Sequence, residues 1–173
     1  MQLDDAPVRV RNFWQAFDPE RVQAHRFYEP FQVGLSETDA DHGARLILDG
    51  SKTATSSLLW EYEHSGRALP AAGTLSMALD GRYAPVCIIE TTEVLIIPFD
   101  QVDAAFCSAY AEGDGTVDGW RALTWPIYQI QCHTMGRLPS MHMPLVCEYM
   151  TVIYPRDPAA RRSAIEAIDA VRG

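Results

Sequence analysis

The stretch Gly50-Ser51-Lys52-Thr53-Ala54-Thr55-Ser56-Ser57 decides how this chain is interpreted, because it follows a predicted helix end and holds the only lysine. The chain has 14 lysine and arginine residues, so the other 13 are arginines (14 minus one). Arginine is effectively always protonated, whereas a buried lysine can lose its proton and act as a base or nucleophile. A genome biased toward arginine would also leave one lysine by chance. Composition alone does not separate these two explanations.

Length and composition indicate a single domain. The chain has 173 residues and is 47% hydrophobic, which is enough to bury a core without disulfides or metal. No apolar run approaches the roughly 20 residues that a membrane-spanning helix needs. The first five residues are acidic and contain no apolar signal region. We therefore expect one domain over residues 1–173, in the cytoplasm, with no membrane contact.

The cysteines and the net charge limit the cofactors and partners. The four cysteines are scattered without a C-x-x-C pair, so we expect reduced thiols and neither a metal site nor another cofactor. A formal net charge of −9 opposes sequence-independent binding to double-stranded DNA, which depends on neutralising many phosphates. A nucleic-acid ligand would have to be small or be bound through a local patch of the surface.

The apolar spacing predicts helices at both ends and strands in the middle. The first helix carries Val10, Trp14 and Phe17, and a second covers Glu37–Asp49 and ends at Gly50. Extended segments are predicted over residues 52–58, 74–79, 86–99 and 146–154, with Asp80-Gly81 as a hairpin turn.

Three more helices are predicted in the second half of the chain. One begins at a cap on Asp100, one begins at Thr116, and one covers residues 157–173 with Ile165, Ile168 and Val171 facing inward. The whole pattern predicts an α+β domain whose strands close into a small barrel.

Several motifs, in this order and spacing, resemble the ASCH domain family. The similarity runs from about residue 31 to residue 155, and the terminal helices lie outside it. The motifs are the lysine stretch, Leu69-Pro70-x-x-Gly73, Ile88-Ile89-Glu90-Thr91-Thr92, Pro98-Phe99-Asp100-x-Val102, Glu112-Gly113-Asp114-Gly115-Thr116 with Trp120-Arg121, and Val146-Cys147-Glu148-Tyr149.

This resemblance implies a PUA-like β-barrel with flanking helices and a family association with RNA. Its cleft would be lined by the lysine stretch and the acidic loop around Glu112. A short branch of the family comprises amidohydrolases that deacetylate acetylcytidine with a lysine, a threonine three residues later and a downstream carboxylate. Those positions correspond to Lys52, Thr55 and Asp114, with Glu112 as the other carboxylate. We expect the remaining substrate contacts from Ser51, Thr53, Ser56, Tyr62 and Arg121.

The proposed chemistry requires a local bend in the backbone. Successive side chains on a strand point to opposite faces, so Lys52 and Thr55 would diverge on a regular strand. A neutral Lys52 would take the proton of Thr55, whose oxygen would attack an amide or ester carbonyl. A Lys52 that a carboxylate keeps charged would instead bind an anion. The sequence leaves both roles open.

Three hypotheses follow. The first is a hydrolase of an acylated or modified nucleoside or a similar small amide. The second is a ribonuclease of single-stranded RNA in which Lys52 stabilises phosphate charge, with or without a divalent metal on Glu112, Asp114 and a further carboxylate such as Asp118. The third is a non-catalytic module that binds RNA or a modified nucleoside. Thr124 occupies a position where longer relatives are expected to have histidine, which weakens a direct transfer of activity.

Overall fold

The structure, a computed structural model, describes residues 2–170 and contains one mixed sheet flanked by helices. The strands are β1 (Phe27–Phe31), β2 (Ala54–Leu58), β3 (Leu75–Leu79), β4 (Pro85–Pro98) and β5 (Pro144–Tyr154). The helices are α1 (Val8–Phe17), α2 (Glu37–Asp49), α3 (Leu59–Ser65), α4 (Ala104–Tyr110), α5 (Val117–Thr134) and α6 (Pro158–Asp169). Short 3₁₀ turns cover Leu3–Asp5, Ala24–Arg26 and Phe99–Gln101.

The α+β class predicted from the sequence is confirmed, but the sheet is open. Its order is β1-β3-β4-β5-β2, with β1 parallel to β3 and every other pair antiparallel. In residues 2–170 no ladder joins the two edge strands, β1 and β2, so the expected closed barrel does not form. Side chains from both edge strands and from α5 line one cleft, which occupies the gap where closure would take place.

Helix α2 fixes the entry to the lysine stretch and has the bounds that the sequence predicts. Ser36 caps its start, because the Ser36 hydroxyl accepts from the Asp39 N–H while the Asp39 carboxylate accepts from the Ser36 N–H. Gly50 ends the helix at φ 85°, a left-handed conformation that glycine adopts without steric cost. The Lys52 N–H then donates to the Leu46 carbonyl at 2.8 Å, which directs the chain into β2.

Several elements differ from the prediction for local reasons. Strand β1 contains Pro30, which weakens a strand pattern but is tolerated at a sheet edge. Helix α3 has seven residues and no side-chain N-cap, so it carries little helical signal. The cap of α4 is Asp103, which accepts from the Phe106 N–H, and Asp100 lies in the preceding 3₁₀ turn. The inward position predicted for Val171 lies outside the described residues.

Three groups of buried side chains form the core. One lies between β2, β5 and helices α4 and α5, a second lies under α2 and α6, and the third lies under α1. Trp14 and Trp120 are among the largest side chains that are fully buried. None of the helices in residues 2–170 is both long and apolar enough to span a membrane.

The hairpin turn between β3 and β4 contacts the start of α2 and offers a test of this packing. A Cβ atom on Gly81 would lie 2.4 Å from the Glu37 carbonyl oxygen, a backbone atom that side-chain rotation cannot move. We expect Gly81→Ala to lower the free energy of unfolding by about 1–3 kcal/mol, as overpacking does. Urea denaturation measures the change, and Arg82→Ala at the neighbouring exposed position is the control. Equal stability of the two variants would contradict the close approach.

Candidate functional site

Lys52 is completely buried and makes three contacts through its amine. Its Nζ donates to the Tyr110 carbonyl at 3.0 Å and lies 3.3 Å from the centroid of the Tyr110 ring. It also forms an ion pair with Glu112 Oε1 at 2.8 Å. Tyr110 ends α4 and Glu112 follows two residues later, so the end of this helix supplies every contact.

Burial controls the protonation of Lys52. Removal of the ammonium from water lowers its pKa to about 8, and the neighbouring Glu112 carboxylate opposes this shift. At pH 7 roughly one lysine in ten is therefore neutral. The site keeps an amine that is charged for most of the time but can lose its proton near neutral pH.

Asp114, the first carboxylate predicted for catalysis, does not contact Lys52. Its Oδ1 accepts from the Thr116 N–H at 2.9 Å and from the Thr116 hydroxyl at 2.7 Å, and the side chain is exposed. These hydrogen bonds lower the Asp114 pKa. Glu112, the other predicted carboxylate, is the one that the structure brings to the lysine.

A cleft of about 280 Å³ opens between the two edge strands. Thr55 and Ser56 of β2 lie in its wall, together with Tyr110. Side chains of α5 line another part of the cleft, including Thr124, the position where a histidine was expected. Thr124 is buried and donates its hydroxyl to the Trp120 carbonyl at 2.8 Å, so it is used within the helix.

Lys52 and Thr55 occupy different parts of this region. Lys52 precedes the regular part of β2 and does not line the cleft, whereas Thr55 does. Within residues 2–170 no hydrogen bond joins their side chains. Tyr110 connects them, since its ring contacts the buried amine and also lines the cleft.

The predicted hydroxyl contacts separate into two groups. Ser56 lines the cleft, and its Oγ lies 2.6 Å from the Tyr128 hydroxyl oxygen. Ser51 is exposed and its N–H donates to the Asp49 carboxylate. The backbone of Thr53 connects α4 with β5, because its N–H donates to the Ala109 carbonyl and its carbonyl accepts from the Met150 N–H. Neither Ser51 nor Thr53 lines the cleft.

Tyr62 and Arg121, the other predicted contacts, also lie outside the lining of the cleft. Tyr62 is buried, and the Arg67 guanidinium lies 4.7 Å from the centroid of its ring. Arg121 donates to the Asp100 carbonyl at 2.7 Å and so fastens α5 to the turn before α4.

Glu148 is a cleft residue to which the sequence analysis assigned no role. It lies on β5 directly opposite Thr55 of β2, lines the cleft and is 9% exposed. Burial raises its pKa to about 7, although a hydrogen bond from Thr91 opposes the shift. The sequence signal that could have identified Glu148 is its place inside the apolar run 145–150. Burial of an acid costs free energy, so a glutamate in such a run indicates a functional role.

The remaining charges of the cleft are mostly acidic. Glu29 and Glu61 lie in its lining, and Arg67 is the basic side chain there. Arg67 forms an ion pair with Glu29, so its charge is already compensated. In residues 2–170 no group of three histidine, cysteine, aspartate or glutamate side chains is placed to hold a metal ion, including the acidic loop around Glu112.

The single lysine allows a direct test of its carboxylate partner. Because Glu112 raises the Lys52 pKa, we expect Glu112→Gln to lower it from about 8 by about one unit or more. A sample labelled with ¹³C at lysine gives one side-chain signal, whose chemical shift is followed against pH. Asp114→Asn is the matched control and should leave this titration unchanged. A lower pKa in Asp114→Asn and not in Glu112→Gln would contradict the observed pairing.

Glu148 makes folding stability depend on pH. Its pKa is about 7 in the folded state against 4.5 for a free side chain, so the folded protein holds a proton that the unfolded chain has lost between these values. Its contribution is complete below pH 4.5 and is lost as the pH rises through 7. We compare the free energy of unfolding of Glu148→Gln with that of wild type. We expect this difference to be about 3 kcal/mol more favourable to the variant at pH 8 than at pH 4.5.

Urea denaturation at pH 4.5, 6 and 8 measures this difference. Glu93→Gln, an exposed position on β4, gives the effect of the same chemical change at the surface. A stability difference between Glu148→Gln and wild type that stays constant across these pH values would count against the linkage.

Comparison with known proteins identifies the family. The sequence model of the ASCH domain family matches residues 29–154 of this chain. An ASCH domain from Lactobacillus crispatus JV V101 is similar in structure, with a TM-score of 0.81 and 26% identity over 89% of this chain and 99% of that chain. Protein EF3133 from Enterococcus faecalis V583 has a TM-score of 0.74 and 28% identity over 84% of this chain and 88% of that chain. A search among curated proteins gave no significant match. The chain therefore belongs to the ASCH domain family, whose PUA-like fold is associated with RNA.

Proposed function

We propose that this protein is a hydrolase that acts on an acylated or modified nucleoside, or on a similar small amide. The observation that carries the proposal is the position of Thr55 in a small polar cleft, which is also lined by Tyr110, the residue whose ring contacts the buried Lys52 amine. A volume of about 280 Å³ lies at the lower end of the range for small-molecule sites and suits a ligand of nucleoside size.

The charges of the cleft favour a small uncharged substrate over an RNA chain. Proteins bind RNA phosphates through lysine and arginine, and this lining offers Arg67, which Glu29 already pairs. The carboxyl groups of Glu61 and Glu148 would repel a phosphate. We therefore place the nucleoside hydrolase ahead of the ribonuclease.

In the proposed reaction Thr55 is the nucleophile and Lys52 the base. The Thr55 oxygen attacks the acyl carbon while its proton passes to the neutral Lys52 amine, which has to turn from the Tyr110 carbonyl toward the cleft. The carbon–nitrogen bond then breaks, and the leaving nitrogen takes the proton from the Lys52 ammonium. Water hydrolyses the threonine ester, which releases a carboxylic acid and restores the hydroxyl. In the observed conformation, before this movement, Glu112 pairs with the amine.

A non-catalytic binding module is the second candidate. The observation that favours it is the enclosure of the Lys52 amine, which already has Tyr110 and Glu112 as partners and no hydrogen bond to Thr55 within residues 2–170. In that case Lys52 would stabilise the end of α4, and the cleft would bind a modified nucleoside without changing it.

We also propose that residues 1–173 form one domain, with the terminal helices as additions to the family fold. Trp14 of α1 packs in the same buried group as Leu75 of β3, and Ile168 of α6 packs in the same group as Ile47 of α2. Both helices therefore share the core of the family-matched region, residues 29–154.

Hydrolysis of acetylcytidine tests the proposed function. We expect wild type to turn it over and Lys52→Arg to lose about 100-fold or more in kcat, because arginine keeps the charge but cannot act as a base. Thr55→Ala should abolish turnover and still bind the product cytidine. Glu93→Gln, outside the lining of the cleft, is the control.

A single-stranded RNA is assayed in parallel, with and without Mg²⁺. Cleavage of this RNA that survives Lys52→Arg, with no hydrolysis of acetylcytidine, would replace the proposed hydrolase by the ribonuclease. Binding of cytidine or RNA without turnover of either substrate would favour the binding module.

A further inference from the structure

Glu148 is held beside Thr55 by the pairing of β5 with β2. The two residues lie directly opposite each other in this antiparallel ladder. Side chains of such a pair lie on the same face of the sheet, with Cβ atoms about 4.5–5.5 Å apart. Both residues line the cleft. A ligand whose reacting atom reaches Thr55 therefore lies within contact distance of the Glu148 carboxyl group.

The hydrogen bonds of Glu148 leave one oxygen available. Its Oε2 accepts from the Thr91 hydroxyl at 3.2 Å, and within residues 2–170 no hydrogen bond reaches Oε1. The residue is 9% exposed, and Oε1 is not among the oxygens that are fully enclosed without a partner, so it keeps some contact with solvent. A side-chain oxygen that has no partner within the protein can be satisfied by a bound ligand or by water. The residue lines a ligand-sized cleft.

The groups around Glu148 set its protonation. Burial is the largest influence and raises its pKa to about 7. Glu29 of β1 also raises this pKa, while the hydrogen bond from Thr91 and the positive charge of Arg67 lower it. Two other titratable groups, Tyr28 and Glu61, line the cleft. The buried Tyr62 lies outside this lining and interacts electrostatically with Glu148. The carboxyl group is therefore near half protonation at neutral pH.

A protonated carboxyl group has a specific hydrogen-bonding pattern. It donates through one oxygen and accepts through the other, whereas a carboxylate only accepts. Its complement is a ligand that presents an acceptor next to a donor. A ring nitrogen beside an amino or amide N–H has this arrangement, as in the Watson–Crick edges of cytosine and adenine. Guanine presents two adjacent donors there, which suit a carboxylate instead.

We propose that Glu148 is the specificity-determining residue of the cleft and binds, as a carboxylic acid, the ring nitrogen and exocyclic N–H of a cytosine-like or adenine-like base. This proposal rests on the proposed function, which it deepens by naming the edge of the base that is recognised. The edge contact places the exocyclic nitrogen, and any acyl group on it, next to Thr55. Glu148 acts by positioning this nitrogen, while Thr55 performs the attack.

Binding of cytidine at pH 6, 7 and 8, measured by isothermal titration calorimetry, tests the proposal. Since an ionised Glu148 must take up a proton to bind, we expect the wild-type affinity to fall about tenfold per pH unit above 7. Buffers with different ionisation enthalpies should show uptake of a proton in the same range. This wild-type measurement does not depend on the folding of any variant.

Glu148→Gln is the most informative variant, because a carboxamide has the donor and acceptor of a protonated carboxyl group at every pH. We expect it to bind cytidine with an affinity that does not depend on pH and to take up no proton. Glu61→Gln removes the other cleft acid whose pKa is raised, and it should keep the wild-type pH dependence. Guanosine should bind wild type at least tenfold more weakly than cytidine at pH 6.

Three results would overturn the proposal: no binding of cytidine at any pH, an affinity of wild type that does not change with pH, or an affinity that rises with pH and is lost in Glu148→Gln. The turnover assay keeps this outcome separate from that of the hydrolase. Hydrolysis of acetylcytidine with pH-independent binding of cytidine would retain the hydrolase and reject the role of Glu148. Proton-linked binding without hydrolysis would retain the role of Glu148 in a module that only binds.

Discussion

Strand β5 pairs with both β4 and β2, and this pairing positions the core and the cleft relative to each other. One face of this three-strand segment packs on α4 and α5 in the largest buried group. The same ladder sets Glu148 opposite Thr55, and it leaves β2 at an edge of the sheet, where its hydroxyls reach the cleft. A shift of one residue in this register would exchange the side chains of the core with those of the cleft, so packing of the core fixes the geometry of the site.

The open sheet is what gives this fold a binding site. A ladder between β1 and β2 would have paired the free backbone N–H and C=O groups of both edge strands, but it would have filled the space between them. Here α5 and the residues after β1 occupy the gap, and a cleft of about 280 Å³ remains. Its small size and acidic lining separate this member of an RNA-associated family from proteins that hold a nucleic-acid strand on a basic surface.

Glu148 lines the cleft and Lys52 lies behind it in contact with Tyr110, and burial moves both groups toward neutrality. The pKa of Lys52 falls to about 8 and that of Glu148 rises to about 7, so each changes its proton easily near physiological pH. Groups with displaced pKa values are costly to stability and are concentrated at functional sites. Lys52 has a partner in Glu112, whereas an oxygen of Glu148 remains available to a ligand. Because of this difference we assign Lys52 the role of the base in the reaction and Glu148 the role of binding the ligand.

The elements that depend on local interactions could be predicted from the amino-acid sequence. The terminal glycine of α2, the Asp80-Gly81 turn and the Thr116 cap of α5 each involve residues within a few positions of one another, so their patterns were sufficient. The lysine stretch was recognisable for the same reason. Two contacts required the three-dimensional arrangement: Glu112 and not Asp114 reaches Lys52, and Glu148 pairs with Thr55 across 93 positions of chain (148 minus 55). These contacts depend on where α4 ends and on the register of β5, and neither is encoded in the neighbouring residues.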